Sequence, residues 1–253
     1  MAKDDSVRFD RRDVVKRIVT VATTAPLSPS VLGATVAATA VAIQPDAASA
    51  QTPTVSAAPP AGYLSLGPDE AAFVEAFVNV MCPADGLTPN GVDCGLATFV
   101  DRQLAGGFGQ GENLYMHGPW KKGKPQFGYQ LPLTPAQFFK AGVAACNAAC
   151  QTRFNKTFDA LAPADADAFL RDLAGGKVTD ARVPLGEWFN ELAYPLFVQA
   201  CFADPIYGGN QNKVFWRMIG YPGLPATHTR DMVEFRGKPF PGAKDPKSIA
   251  DFS

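Results

Sequence analysis

The sequence predicts an all-α fold: a single compact domain of five to six helices with long Gly-, Pro- and aromatic-rich loops and an extended C-terminal tail. Three observations carry this. Apolar residues recur at helical spacing in five stretches between Pro68 and Phe202. Proline stands at the start of three of them, at Pro68, Pro135 and Pro163, where a missing N–H is harmless. No alternating strand pattern of useful length interrupts them. The chain has 253 residues, 47% of them apolar, which suffices for one sizeable core.

The elements follow in order. Residues 1–50 read as a twin-arginine signal peptide. Arg11 and Arg12, followed by Lys16, precede a mild apolar run from Ile18 to Ile43 and a small-x-small cleavage site, Ala48-Ser49-Ala50. Pro26 and Pro29 make that run a poor membrane span. Residues 51–62, rich in Ala, Pro and Thr, read as a flexible linker. The helical domain is assigned to 63–221. Its first helix begins near Pro68, with Asp69 and Glu70 complementing the positive end and Phe73, Val74, Phe77, Val78 and Met81 on one face. Pro83 ends it. The second runs from about Val92 to Leu104.

Residues 105–132 lose all periodicity. The segment is long for a connection and unusually aromatic for a disordered one. It reads either as a loop covering its own core or as a partner-binding loop, with Tyr115, Trp120 and Tyr129 as interface candidates. Two phosphate-loop decoys lie in it. Gly107 to Gly111 falls one residue short of a dinucleotide fingerprint and follows a helix. Gly118 to Lys124 fits a phosphate loop until Pro125 replaces the required hydroxyl.

The third helix has the clearest start: Thr134 as N-cap, Pro135 in the first position, Gln137 completing a capping box. It runs to about Phe154. The fourth runs from Pro163 to Gly175-Gly176. The fifth spans about Leu185 to Phe202, and Pro195 inside it should kink it. Then comes a corner, Phe202-Ala203-Asp204-Pro205-Ile206-Tyr207-Gly208-Gly209-Asn210. A residue before proline disfavours the α region, two glycines permit a sharp reversal, and Asn tolerates the left-handed region. A short helix with Val214, Phe215, Trp216, Met218 and Ile219 follows. Residues 222–253, Pro-rich and without period, read as an extended tail.

The corner, with Trp216 and Gly220-Tyr221-Pro222-Gly223, resembles the signature of the gluconate 2-dehydrogenase subunit 3 family. Two further blocks agree. Cys82-Pro83-Ala84-Asp85-Gly86-Leu87-Thr88-Pro89 resembles the family's Pro-Ala-Asp turn. Asp101 to Gly106, Tyr115-Met116-His117-Gly118-Pro119-Trp120 and Gly128-Tyr129-Gln130 resemble its central loop. The blocks occur in order over roughly residues 63 to 236, which makes the resemblance more specific than any single motif. It implies a subunit with no cofactor of its own. Its partners would be an FAD-dependent flavoprotein of the glucose-methanol-choline type, oxidising gluconate or a similar polyol, and a multihaem cytochrome c subunit. The expected place is the periplasm, on the outer face of the inner membrane, with transient contact to the twin-arginine translocase. Tyr207, Gly208, Gly209 and Asn210 join the interface candidates.

The rest of the chemistry is sparse. Without residues 1–50 the chain holds 17 basic and 19 acidic residues, so it has no basic excess for nucleic acid. His117 and His228 are far apart and lack a carboxylate cluster, so no metal ligands or catalytic residues are assigned. No Cys-x-x-Cys-His motif attaches haem, and no Gly-x-Ser-x-Gly marks a nucleophile. Five cysteines in an exported chain suggest disulfides. Cys82 and Cys94 would staple the turn between the first two helices. Cys146 and Cys150, four apart on one helix, are poorly placed to bridge each other, so one of them would reach Cys201. An independent small periplasmic enzyme and a sugar-acid-binding protein remain alternative readings.

Overall fold

The computed structural model describes residues 62–121, 123–124, 127–224 and 228–252. The export motif at Arg11, Arg12 and Lys16 and the linker up to residue 61 lie outside these residues. The described part is all-α, with no strand; one parallel bridge joins Gly223 to Lys247.

Helix α1, Pro68–Met81, starts where proline and two acidic residues predict. Glu70 accepts from the Gly67 N–H at 2.6 Å, occupying a donor that no helical carbonyl can reach. Helix α2, Leu96–Ala105, starts later than the apolar pattern suggests. Residues 91–95 form a tight turn instead, and Gly95 takes a left-handed φ of 75°. A Cβ there would stand 2.2 Å from the Gly208 carbonyl oxygen. A single helical turn, Gly107–Gln110, follows α2.

Helix α3, Pro135–Phe154, has the capping box read from its sequence: Thr134 accepts from the Gln137 N–H, and the Gln137 side chain accepts from the Thr134 N–H. Asn155, with φ of 55°, closes it. Helix α4, Pro163–Ala174, ends at Gly175-Gly176 as expected.

Helix α5 is composite: an α turn Leu185–Glu187, a π-helical stretch Trp188–Ala193, and an α-helix Tyr194–Phe202. The sequence predicts a kink at Pro195. The structure answers differently. Proline cannot donate to the Glu191 carbonyl four residues back, and the preceding turn widens so that the Tyr194 N–H bonds the Phe189 carbonyl.

The core lies where these helices meet. Phe73 and Phe77 of α1 pack with Phe158, Trp188, Phe189 and Phe197 at ring-centroid distances of 4.7 to 6.2 Å. Trp188 approaches the backbone of α3 closely enough to donate its indole N–H to the Phe139 carbonyl at 3.2 Å. That approach requires Gly142, because a Cβ there would meet the indole nitrogen at 2.1 Å. Glycine inside a helix costs about 1 kcal/mol relative to alanine. A fully buried Trp and its hydrogen bond contribute more than that.

Asp101 of α2 is 2% exposed and accepts three backbone N–H groups, from Leu64, Ser65 and Leu66, at 2.7 to 3.0 Å. It fixes the chain entering α1 against α2, and Lys140 of α3 holds the Ser65 carbonyl from the other side. A buried carboxylate persists because every N–H around it is a donor.

The tail departs from the reading of an extended segment. It contains helix α7, Thr229–Glu234, and short 3₁₀ turns at Pro241–Lys244 and Ile249–Asp251. Helix α6, Val214–Ile219, separates it from the corner. The tail shows no apolar stripe; it is held by backbone and polar ties and by a local ring cluster in which Phe240 meets His228 and Phe235.

Candidate partner-binding site

The corner is built on α5's last turn. The α-helix leaves orphan carbonyls at its end, and the corner's side chains satisfy them. The Trp216 indole donates to the Phe202 carbonyl at 2.9 Å, and the Asn210 amide donates to the Ala203 carbonyl at 3.1 Å. Asn210 is fully buried, with φ of 47°, and its Oδ1 accepts from the Phe215 N–H at 3.0 Å. One side chain thus closes α5 and opens α6. Gly209 lets the chain cross α5 closely, since a Cβ would stand 2.3 Å from the Ala200 carbonyl oxygen. Gly208 turns with φ of 103° against Thr98 and Arg102 of α2.

Asp204 serves two partners. Its Oδ1 accepts from the Ile206 N–H at 3.1 Å, capping the 3₁₀ turn Pro205–Tyr207. Its Oδ2 accepts from the Ile249 N–H at 2.9 Å, which ties down the tail. Two more ties reinforce it. Lys247 donates to the Pro222 carbonyl and accepts from Leu224, at 3.0 and 3.1 Å. Lys213 forms an ion pair with Asp251, whose carboxyl is held down to about 2 by that ammonium and by the Ser248 N–H. His228 joins the tail too, with its ring nitrogens 2.8 Å from Asp231 and 3.3 Å from the Pro222 carbonyl.

Most of the residues singled out at the corner are therefore structural: Gly208, Gly209 and Asn210 are buried. Tyr207 is different. It is 52% exposed, Ile206 beside it is 45% exposed, and the tail adds Ile249 and Phe252 at 38% and 63%. The 3₁₀ turn and the tail's last turn contact each other, so these exposed apolar residues lie on or beside two adjoining turns. Ile249 and Phe252 carried no signal in the sequence, because their place by the corner depends on the tail folding back.

The aromatic loop divides likewise. Tyr129 turns inward, with its ring 4.4 Å from Phe138 and its hydroxyl donating to the Leu133 carbonyl; burial pushes that hydroxyl up to about 12. Trp120 is half-buried. Tyr115 is 79% exposed and meets the His117 ring edge at 5.6 Å. His117 is itself exposed, and no carboxylate is described against it.

All five cysteines are buried. Burial raises Cys146 and pushes Cys150 up to about 12, the pattern of inert core thiols. Cys82 and Cys94 lie together: each donates to the Pro89 carbonyl, at 3.7 and 3.6 Å. Among the described residues no group of His, Cys, Asp and Glu is arranged to hold a metal ion, and no helix is long and apolar enough to cross a membrane.

In a comparison with protein families, residues 68–223 match gluconate 2-dehydrogenase subunit 3. No curated protein and no solved structure matches the chain. The matched span opens on the first residue of α1 and closes on Gly223, so it takes in the capped helices, the π-helical turn and the whole corner, and stops where the tail begins. On the extent of that match, the chain belongs to the gluconate 2-dehydrogenase subunit 3 family.

Proposed function

We propose that the chain is the non-catalytic small subunit of a periplasmic, membrane-attached gluconate 2-dehydrogenase-type complex. The family match over residues 68–223 carries this reading. The partner is an FAD-dependent dehydrogenase subunit of the glucose-methanol-choline type, which holds the flavin and oxidises gluconate or a related polyol. A multihaem cytochrome c subunit takes the electrons. The small subunit supports the export, maturation and stability of the flavoprotein. Twin-arginine export carries folded cargo, so the Arg11-Arg12 signal on this chain would let a cofactor-loaded partner cross as a passenger.

The exposed Tyr207 suits such a role. Tyr207 stands on a base whose backbone groups are internally bonded, and rigid aromatics lose little entropy on binding. The test is purification of the full chain from its native membranes. A yellow flavoprotein should co-purify with it, and Arg11→Lys with Arg12→Lys should remove both proteins from the periplasmic side together. A flavoprotein exported at normal levels without this chain's signal would end the passenger reading.

A further inference from the structure

We propose that Cys82 and Cys94 are a two-state staple: thiols while the chain folds, and a disulfide once it meets an oxidising compartment. Cys82 is the residue that ends α1, and Cys94 lies in the turn that starts α2. Between them the loop folds back against α1. A Cβ on Gly91 would stand 2.3 Å from the Val78 carbonyl oxygen, and the Asp85 carboxylate ties the Leu87 and Thr88 N–H groups at 2.9 and 2.8 Å. The two sulfurs converge on one acceptor, both donating to the Pro89 carbonyl oxygen.

The arrangement satisfies the thiol state without needing a bond, because a buried S–H with an acceptor leaves no polar group stranded. It also keeps the two sulfurs within about 7 Å of each other, since both lie within 3.7 Å of one oxygen. The other cysteines contrast with this. Cys146 and Cys150 sit four apart on α3, where parallel side-chain directions oppose a bridge. A chain exported in the folded state must reach its fold in a reducing compartment, so a fold that is complete with thiols and then bridged afterwards fits that route. This last step rests on the export reading above; the pairing itself does not.

The chemistry is a thiol–disulfide exchange with an external disulfide, either a thiol oxidoreductase or oxidised glutathione. Cys82 is followed directly by the exposed residues 83–87, which gives it the shorter route to an external disulfide. Its thiolate attacks the external disulfide, forming a mixed disulfide and releasing one thiolate. The Cys94 thiolate then displaces the second sulfur. The protein loses two protons and two electrons, and the external disulfide takes them up as two thiols. The Cys94 carbonyl already holds the Gln211 N–H at 3.0 Å. Bridging it to α1 therefore stiffens the underside of the corner that carries Tyr207.

The experiment uses the purified full chain. After incubation with oxidised glutathione, unreacted thiols are alkylated in denaturant and the digest is mapped by mass spectrometry. The expected result is one cross-link, Cys82 to Cys94, with Cys146, Cys150 and Cys201 alkylated. The melting temperature should rise by roughly 5–10 °C over the dithiothreitol-treated chain, as for a loop of about a dozen residues closed in a domain of this size. Cys82→Ser with Cys94→Ser should abolish that difference. Alkylation of both Cys82 and Cys94 after oxidation, or a cross-link to another cysteine, overturns the proposal, and neither result depends on that variant folding. Retaining the chain with Arg11→Lys and Arg12→Lys should keep both residues as thiols. If that variant is exported normally, the export reading fails and the mapping in vitro still decides the staple.

Discussion

The corner at residues 202–216 and the loop at 105–132 look alike in composition, both rich in Gly, Pro and aromatics, yet they are held in opposite ways. The corner's bonds reach across the fold: Asn210 to Ala203 and Phe215, Trp216 to Phe202, Gln211 to Cys94, Asp204 to Ile249. Among the described residues of the loop, hydrogen bonds reach no further than neighbouring turns, as from Gln110 to Gly106 or from Tyr129 to Leu133. Short polar side chains make the difference. Asp and Asn beside glycine can serve a helix end and a second segment at once. An aromatic on a glycine-rich frame can only pack or protrude.

The sharpest way to break this contrast is at Asn210. Asn210→Ala leaves the Ala203 carbonyl and the Phe215 N–H buried without partners and keeps a left-handed backbone that alanine disfavours. A loss of about 3 kcal/mol is expected in urea unfolding. A loss below about 1 kcal/mol would mean the corner relaxes as freely as a loop.

A smaller effect is expected at the tail tie. Asp204→Ala removes the cap on the Ile206 N–H and the acceptor for Ile249. The expected loss is about 1–2 kcal/mol, read with faster tryptic cleavage at Arg236. Unchanged cleavage would show that the remaining ties, the Gly223–Lys247 bridge and the Lys213–Asp251 pair among them, hold the tail without Asp204.

The Lys213–Asp251 pair sharpens the same point through pH. Asp251 titrates near 2 in the fold against 3.8 unfolded, so its contribution is fully present above about pH 4 and is lost as pH falls through 2. Amide exchange at Leu224 and Lys247 should accelerate over that window while Phe215 stays protected. Asp251→Asn should remove the change. The pair is partly exposed, so solvent screening keeps the effect under about 1 kcal/mol.

These contacts mark what the sequence could and could not reveal. Helices α1, α3 and α4 were legible because Pro68, Thr134-Pro135 and Gly175-Gly176 act locally, through their own backbone. The start of α2 was not: left-handed Gly95 packs so closely on the Gly208 carbonyl, more than a hundred residues away, that no Cβ would fit. The π-helical turn was half-legible, since Pro195 announced a missing bond but gave no hint that the helix would widen around it. At the candidate site the corner's turn chemistry was readable from Asp204, Gly208 and Asn210. The exposed apolar residues were only partly so. Tyr207 belonged to the motif, but Ile249 and Phe252 reach the corner through a tail whose order comes from long-range polar ties that leave no periodic trace.

The finest test of the contrast concerns Tyr207 and Tyr115, one exposed aromatic from each region. Neither carries a tertiary load, so Tyr207→Ala and Tyr115→Ala should each leave stability within about 0.5 kcal/mol. They should differ in assembly with the flavoprotein. Tyr207 stands on a turn capped by Asp204 and backed by α2, beside exposed Ile206 and against the tail's last turn. Binding through it need order nothing else. Tyr115 has one ring neighbour, His117, on a locally bonded loop, and fixing that loop would consume part of any contact energy. Removing Tyr207 should therefore weaken the complex by about 2 kcal/mol, roughly 30-fold in Kd, as for a buried hot spot, and removing Tyr115 by less than about threefold. Co-purification yield and titration of the flavoprotein against each variant would read this directly. Equal weakening by both would place the loop in the interface on the same footing as the corner. Weakening by Tyr115→Ala alone would move the interface to the loop and leave the corner's rigidity a matter of fold.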